Sequence, residues 1–132
     1  MQEIKIIENE LPADTYRHLR VLSGLSAKSI EASERGLPNS LFTVLLKKEE
    51  QAIGMGRVIG DGGCFCQVVD ICVHPEFQGQ GLGKRIMQSI TKYIREHLPE
   101  SCYVSLIADG DASFLYEKFG FKTAGIRRRY YQ

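Results

Sequence analysis

The six residues from Gln78 to Gly83, Gln-Gly-Gln-Gly-Leu-Gly, have the composition of an anion-binding loop. An apolar run, Val68 to Val73, precedes the loop, and a segment with helical apolar periodicity, Leu82 to Ile94, follows it. Glycines let the backbone turn tightly and approach a bound group, while the start of a helix adds unpaired N–H donors and the positive end of its dipole. The arrangement predicts a site for a phosphate or a pyrophosphate.

The loop departs from two common phosphate-binding motifs. In a P-loop, Gln78 would stand where the first glycine belongs and Arg85 where the hydroxyl belongs, which argues against a nucleoside triphosphatase. A Rossmann fingerprint that began at Gly79 would reach Lys84 where a third small residue is required. Asp109, which lies downstream, could imitate the ribose-binding acid of that fold. A dinucleotide site is thus disfavoured but left open.

The loop does resemble the coenzyme A loop of the GNAT superfamily of N-acetyltransferases. That loop has Gln or Arg, two residues, Gly, one residue, and then Gly or Ala, and Gln78, Gly81 and Gly83 match it. The stretch from Val69 to Phe77 resembles the fourth strand of the family and its exit. The stretch from Asp111 to Phe121 resembles the second cofactor-contacting segment, in which a helical tyrosine is followed by Gly-Phe. Two motifs in the expected order are more specific than either motif alone.

The resemblance implies both a fold and an activity. The implied fold is mixed α/β (α+β), with a mainly antiparallel central sheet that is flanked by helices and a splayed pair of fourth and fifth strands that holds the cofactor. The implied activity is N-acetyl transfer with acetyl-CoA as co-substrate and no metal. The residues that the resemblance assigns to cofactor binding, partly through backbone N–H groups, are Cys72, Val73, Gln78, Gly79, Gln80, Gly81, Leu82, Gly83 and Lys84.

Two side chains are candidates for proton transfer. An ammonium has no lone pair with which to attack a thioester, and the leaving thiolate needs an acid. In the resembling family the helical tyrosine points at the cofactor sulfur, which assigns the acid to Tyr116. The resemblance implies that the strand of Asp70 runs beside the thioester. Asp70 could then orient or deprotonate the amine, directly or through water, or it could be a structural acceptor or fix the amine by charge alone. His74 precedes Pro75 at the strand exit and is more typical of a turn residue than of a base.

Two further residues raise alternatives. Cys72 could form an acetyl-cysteine intermediate, but thiols on apolar strands are usually buried and unreactive, which favours direct transfer. Asp111 stands where the family often has an asparagine that contacts the cofactor. A carboxylate near the phosphates would be repulsive, so a helix-capping role is favoured for Asp111.

The remaining pattern predicts the elements that position these residues. Alternation and turn residues predict strands, and apolar residues spaced three or four apart predict helices. Pro12 and Ser26 are the expected starts of the first two helices, and Pro99 follows the end of the third. The predicted elements are a first strand at residues 1–7, helices at 12–22 and 26–36, strands at 41–46, 52–59 and 64–73, a helix at 82–94, a strand at 103–108, a helix at 111–120, and a final hairpin at 121–124 and 127–131.

Composition limits the class of protein. The chain has 132 residues, 43% of them hydrophobic, so it is expected to form one domain, residues 1–132. Its net charge of +1 gives no drive toward nucleic acid, and Arg127 to Arg129 is expected to be a solvated edge. We predict a cytoplasmic protein that does not insert in a membrane, because no stretch has about 18 apolar residues. Four cysteines without paired spacing predict reduced, mostly structural thiols and no zinc site.

The sequence does not identify the acceptor. It could be a small molecule with a primary amine, such as an amino sugar or an antibiotic, or a protein lysine or N-terminus. The polar segment from Ser23 to Ser40 is the expected substrate wall. A non-catalytic acyl-CoA-binding or regulatory module is the alternative function, since it would keep the loop without depending on Tyr116. The strand-rich C-terminus could pair across a homodimer, and the oligomeric state is open.

Overall fold

The computed structural model describes residues 3–106 and 113–122, and at positions 113 and 114 it describes the backbone alone. Apart from Phe121 and Lys122, the predicted C-terminal hairpin lies outside the described residues, as do Asp109, Asp111 and Arg127 to Arg129. The elements are β1 (Ile4–Glu8), α1 (Ala13–Leu22), α2 (Ile30–Gly36), β2 (Phe42–Lys48), β3 (Gln51–Gly60), β4 (Phe65–Val73), α3 (Leu82–His97), β5 (Tyr103–Leu106) and α4 (Ser113–Glu117). Short 3-10 turns at Leu37–Asn39 and Pro75–Phe77 join some of them.

The five strands form one sheet in the order β1-β2-β3-β4-β5. The first four pair antiparallel, so the predicted meander is confirmed, and β5 pairs parallel with β4. The parallel pairing joins Phe65–Val68 of β4 to β5, whereas β4 continues to Val73. Helices flank this mixed sheet, which confirms the predicted fold class. None of the helices in the described part of the chain has both the length and the apolar character needed to span a bilayer.

The start of α2 differs from the prediction. Ser29, and not Ser26, is the N-cap, because the Ser29 hydroxyl accepts a hydrogen bond from Ala32 N at 3.0 Å. Ser26 is occupied elsewhere: its carbonyl and its hydroxyl accept hydrogen bonds from the Arg20 guanidinium at 2.8 and 3.0 Å. Capping preference alone could not separate the two serines, since the contact that decides between them comes from another helix.

Helix α3 packs against the sheet through a fully buried apolar face. Ile86, Met87 and Ile90 have no exposed surface, and they belong to a core that extends to β2, β3 and β5. Gly56 on β3 allows this close approach, because a Cβ at that position would lie 2.7 Å from Ile86 Cγ2 and 2.8 Å from Ile90 Cδ1. The small residue in β3 thereby fixes the depth at which α3 sits on the sheet.

Gly56→Ala is expected to destabilise the protein by about 1–3 kcal/mol, because α3 must shift to relieve the two contacts. Urea unfolding followed by circular dichroism would measure the change. Gly63→Ala is the matched control, since a Cβ there meets only Asp61 Oδ1 at 3.9 Å, and its effect should stay within about 0.5 kcal/mol. Equal midpoints for the two variants would show that α3 accommodates the methyl group without cost.

Candidate active site

The glycine-rich loop ends at the N-terminus of α3. Gly79 and Gly81 have φ values of +82° and +80°, a left-handed conformation that favours glycine. Gly81 is the N-cap of α3, has no side chain with which to cap it, and accepts a hydrogen bond from Arg85 N at 3.2 Å. The N–H groups of Leu82, Gly83 and Lys84 precede that first helical bond, so the helix presents them as donors at its positive end.

The three glycines of the loop have different structural roles. A Cβ at Gly79 or Gly81 would meet no heavy atom within 4 Å, so the loop is open at both positions. A Cβ at Gly83 would lie 3.1 Å from Leu115 Cδ2, which means that Gly83 brings α3 close to α4. Tyr116 follows Leu115 on α4, so the same packing brings the helix of Tyr116 close to the loop.

The end of β4 exposes backbone groups on the side away from β3. His74 N donates to Ile53 O at 2.8 Å, and Val73 is the next residue in the register, opposite Gly54. Because bonded and non-bonded pairs alternate along antiparallel strands, the N–H and C=O of Val73 point toward the β5 side. The Gln78 side chain donates to Val73 O at 3.2 Å, which agrees with this orientation. The same alternation directs the N–H of Cys72 toward β3.

A β-bulge interrupts β4 next to this segment. The register with β3 shifts by one residue between Met55 and Arg57, and Asp70 has a φ of +62°. A non-glycine residue with positive φ costs free energy, and bulges often redirect a side chain next to a functional site. The bulge here directs the Asp70 side chain into a cluster of polar groups on β3 and α1.

Asp70 accepts hydrogen bonds from three side chains. Arg20 binds Oδ1, while Tyr16 and Arg57 bind Oδ2 at 3.0 and 3.2 Å. The carboxylate is only 6% exposed, and the two arginine side chains are 10% and 12% exposed. Two guanidinium groups therefore compensate one buried carboxylate, which leaves the cluster with an excess positive charge.

Tyr16, Arg20 and Arg57 were not predicted as site residues from the sequence. Burial, and then the Asp70 carboxylate, raise the pKa of the Tyr16 hydroxyl, so Tyr16 stays a donor at neutral pH. Two signals were available. Tyr16 and Arg20 are four apart on a predicted helix and so share a face, and Arg57 is a cation within an otherwise apolar strand.

The Asp70 cluster and Tyr116, which belongs to the second predicted cofactor-contacting segment, line the same open cavity of about 610 Å³. Tyr116 is 7% exposed and lines the cavity from α4, and Asp70 lines it from β4. The two predicted catalytic residues thus share one cavity. The other lining residues are Tyr16, Arg20, Leu25, Lys28, Arg57, Ile59, Gln67, Val68, Val69, Ile71 and Leu106.

Cys72 and His74 are held in structural environments. Cys72 is 8% exposed, packs with Tyr16, Leu19 and Met55, and is absent from the lining of the cavity. Burial raises the pKa of its thiol to about 11, so little thiolate exists at neutral pH. His74 Nδ1 accepts a hydrogen bond from Glu76 N at 3.0 Å, as expected for a turn residue. The described residues contain no group of three potential metal ligands.

Comparisons with known proteins agree on one family. Residues 38–123 match the model of the acetyltransferase (GNAT) domain. A probable acetyltransferase from meticillin-resistant Staphylococcus aureus, solved as a protein of unknown function, is 50% identical, with a TM-score of 0.88 over 94% of this chain and 93% of that one. The ribosomal protein bS18-alanine N-acetyltransferase of Haemophilus influenzae is 31% identical over 77% of each chain.

A more distant structure adds support at the level of the fold. A GNAT family acetyltransferase from Brucella melitensis, solved in complex with acetyl-CoA, is 17% identical, with a TM-score of 0.70 over 96% of this chain and 86% of that one. The chain spans about half the length, 48%, of the first curated relatives that it matches.

Proposed function

Because this chain belongs to the GNAT family of acetyltransferases, we propose that it moves the acetyl group of acetyl-CoA to a primary amine by direct attack in a ternary complex. The observation that carries the proposal is that Asp70 of β4 and Tyr116 of α4 line the same cavity. The amine nitrogen attacks the thioester carbonyl carbon, the C–N bond forms, and the C–S bond breaks. The Tyr116 hydroxyl gives its proton to the leaving thiolate.

The predicted loop residues hold the cofactor in this proposal. Gln78 to Lys84 surround the open N-terminus of α3, where N–H donors and the helix dipole stabilise a pyrophosphate. The N–H of Val73, which points away from β3, donates to the pantetheine chain or to the developing oxyanion, whereas the Val73 carbonyl already accepts hydrogen bonds from Gln78 and Ser23. Cys72, whose N–H points toward β3, contributes by fixing the strand. The acetyl-CoA complex of the Brucella relative supports this choice of cofactor.

Asp70 is the candidate to assist loss of the proton from the amine. It is the one carboxylate among the described residues that line the cavity. Both of its oxygens already accept hydrogen bonds from Tyr16 or arginine, so the proton leaves through a water molecule in this proposal. The α-amine of a protein or peptide is the first acceptor to test, because such an amine has a pKa near 8 and the Haemophilus relative is named for acetylating one.

A panel of amines tests the function directly. Release of the coenzyme A thiol is followed with acetyl-CoA and peptide amides, an amino sugar, or a lysine side chain as acceptor, and mass spectrometry identifies the acetylated nitrogen. Amine-dependent thiol release is the expected result. Tight binding of acetyl-CoA without transfer to any amine would contradict the proposal and favour a non-catalytic acyl-CoA-binding module.

Cys72→Ala is expected to retain activity within about tenfold, and initial-rate plots should intersect instead of running parallel. The substitution keeps the backbone N–H and removes a thiol whose pKa of about 11 makes it a poor nucleophile. Steady-state rates at varied concentrations of both substrates would measure this. An acetylated Cys72 that passes its acetyl group to the amine would overturn direct transfer, whereas loss of activity alone could reflect disturbed packing.

A further inference from the structure

The cavity has an excess of positive charge among the described residues. Three cations, Arg20, Lys28 and Arg57, line it together with one carboxylate, Asp70, which gives a net charge of +2. Asp70 is already bound to both arginines, so its negative charge is compensated within the protein. A cationic acceptor would meet repulsion from this wall, and an anionic acceptor would be attracted to it.

Arg57 has more N–H groups than its structural hydrogen bonds to the described residues use. Its Nε donates to Ser40 Oγ at 2.6 Å, its Nη2 to Gly36 O at 2.9 Å, and its Nη1 to Asp70. A guanidinium has five N–H groups, so two remain beyond these three bonds in the described part of the chain. The three bonds also fix the orientation of the guanidinium plane, which preorganises the remaining donors.

Lys28 and Arg57 lie at the junction of two cavities. Both line the cavity that contains Tyr116, and both also line a neighbouring cavity of about 190 Å³ next to α2. Lys28 is exposed, whereas Arg57 is largely buried. An acceptor bound in the cavity that Tyr116 lines can thus place a side chain against these two cations.

We propose that the acceptor is a primary amine that carries a carboxylate close to the amine, and that Arg57 and Lys28 bind this carboxylate. The inference rests on the proposed acetyl transfer and names the acceptor class for the same site. The positive wall has a second effect, since nearby cations lower the pKa of an ammonium and so favour the neutral amine that attacks the thioester. Because less proton removal is then needed, Asp70 does not have to act as a strong base, and both arginines already bind its carboxylate.

The test compares two isosteric acceptors, tripeptide amides that begin with aspartate or with asparagine and are otherwise identical. The aspartate peptide is expected to have a kcat/KM about tenfold higher at low salt, because two cations attract one additional negative charge, and the preference should shrink at high salt. Lys28→Gln should reduce the preference about threefold or more. Lys92→Gln removes an exposed lysine from α3 that does not line the cavity, and it should leave the preference unchanged.

A binding measurement separates this inference from the proposed function. Calorimetry with the two N-acetylated peptides, in the presence of coenzyme A, reports the charge preference without turnover. A preference in binding with no turnover would support the carboxylate site and overturn the enzyme. Equal rates and equal affinities, or a preference for a peptide that begins with lysine, would overturn the carboxylate site. Faster transfer from succinyl-CoA than from acetyl-CoA, with no preference between the acceptors, would also overturn the carboxylate site. That result would mean that the cations bind the acyl group and not the acceptor.

Discussion

Tyr116→Phe is expected to lower turnover by about 10²-fold or more and to leave the affinity for acetyl-CoA nearly unchanged. The substitution removes one hydroxyl from a ring that is 7% exposed, and the ring itself can stay in the core beside α3. If this hydroxyl protonates the leaving thiolate, its loss affects the transition state and not the bound ground state. Steady-state rates with the best acceptor of the amine panel, together with calorimetry for the cofactor, would separate the two effects.

Tyr93→Phe is the matched control for this experiment. Tyr93 lies on α3 and does not line the cavity. Its ring stacks on Phe42 and on His97, with distances of 4.7 and 4.9 Å between the ring centroids. It should keep wild-type turnover, and both variants should melt close to the wild type. A Tyr116→Phe variant with a wild-type rate would exclude the tyrosine as the general acid. A rate loss accompanied by a clear drop in the melting temperature of Tyr116→Phe would indicate that the hydroxyl is structural.

Local patterns in the sequence were sufficient to predict most elements of the fold. The apolar runs of β2 and β3 reflect strands buried on both faces, and the apolar spacing of α3 reflects a helix buried on one face. Both patterns can be recognised without knowing which elements are the neighbours. The tight turn of the loop could be predicted from its glycines, and Gly79 and Gly81 have positive φ values that favour glycine. The role of Gly83 could not be assigned in full, because its contact with Leu115 depends on how two helices pack.

The polar cluster at Asp70 could not be predicted from local sequence patterns. Its partners Arg20 and Arg57 are 50 and 13 positions away in the sequence, and they come together only through a bulge at a non-glycine residue. The sequence therefore indicated a carboxylate beside the thioester, but not that two guanidinium groups already compensate it. That difference bears on the choice of acceptor, which the sequence left open, because a compensated carboxylate does not attract a cationic amine.

Gly81→Glu is expected to weaken the binding of coenzyme A by about 10²-fold or more while the protein stays folded. Space for the side chain exists, since a Cβ at Gly81 meets no atom within 4 Å. The φ of +80° adds strain of about 1–2 kcal/mol, and a carboxylate near the N-terminus of α3 partly offsets it by interacting with the helix dipole. The same carboxylate competes for the N–H donors of Leu82 to Lys84 and repels the pyrophosphate.

Two control variants separate charge from strain. Gly81→Ala introduces the same backbone strain without charge, so most of the affinity should survive, and the difference between the two substitutions at Gly81 measures the electrostatic part. Gly62→Glu places the same side chain at a φ of +80° in the turn before β4, away from the loop, and should leave the affinity unchanged. Calorimetry with coenzyme A and circular dichroism would check both binding and fold. Unchanged affinity in a folded Gly81→Glu variant would exclude the N-terminus of α3 as the phosphate site, and competition by NAD or ATP would then favour a nucleotide ligand.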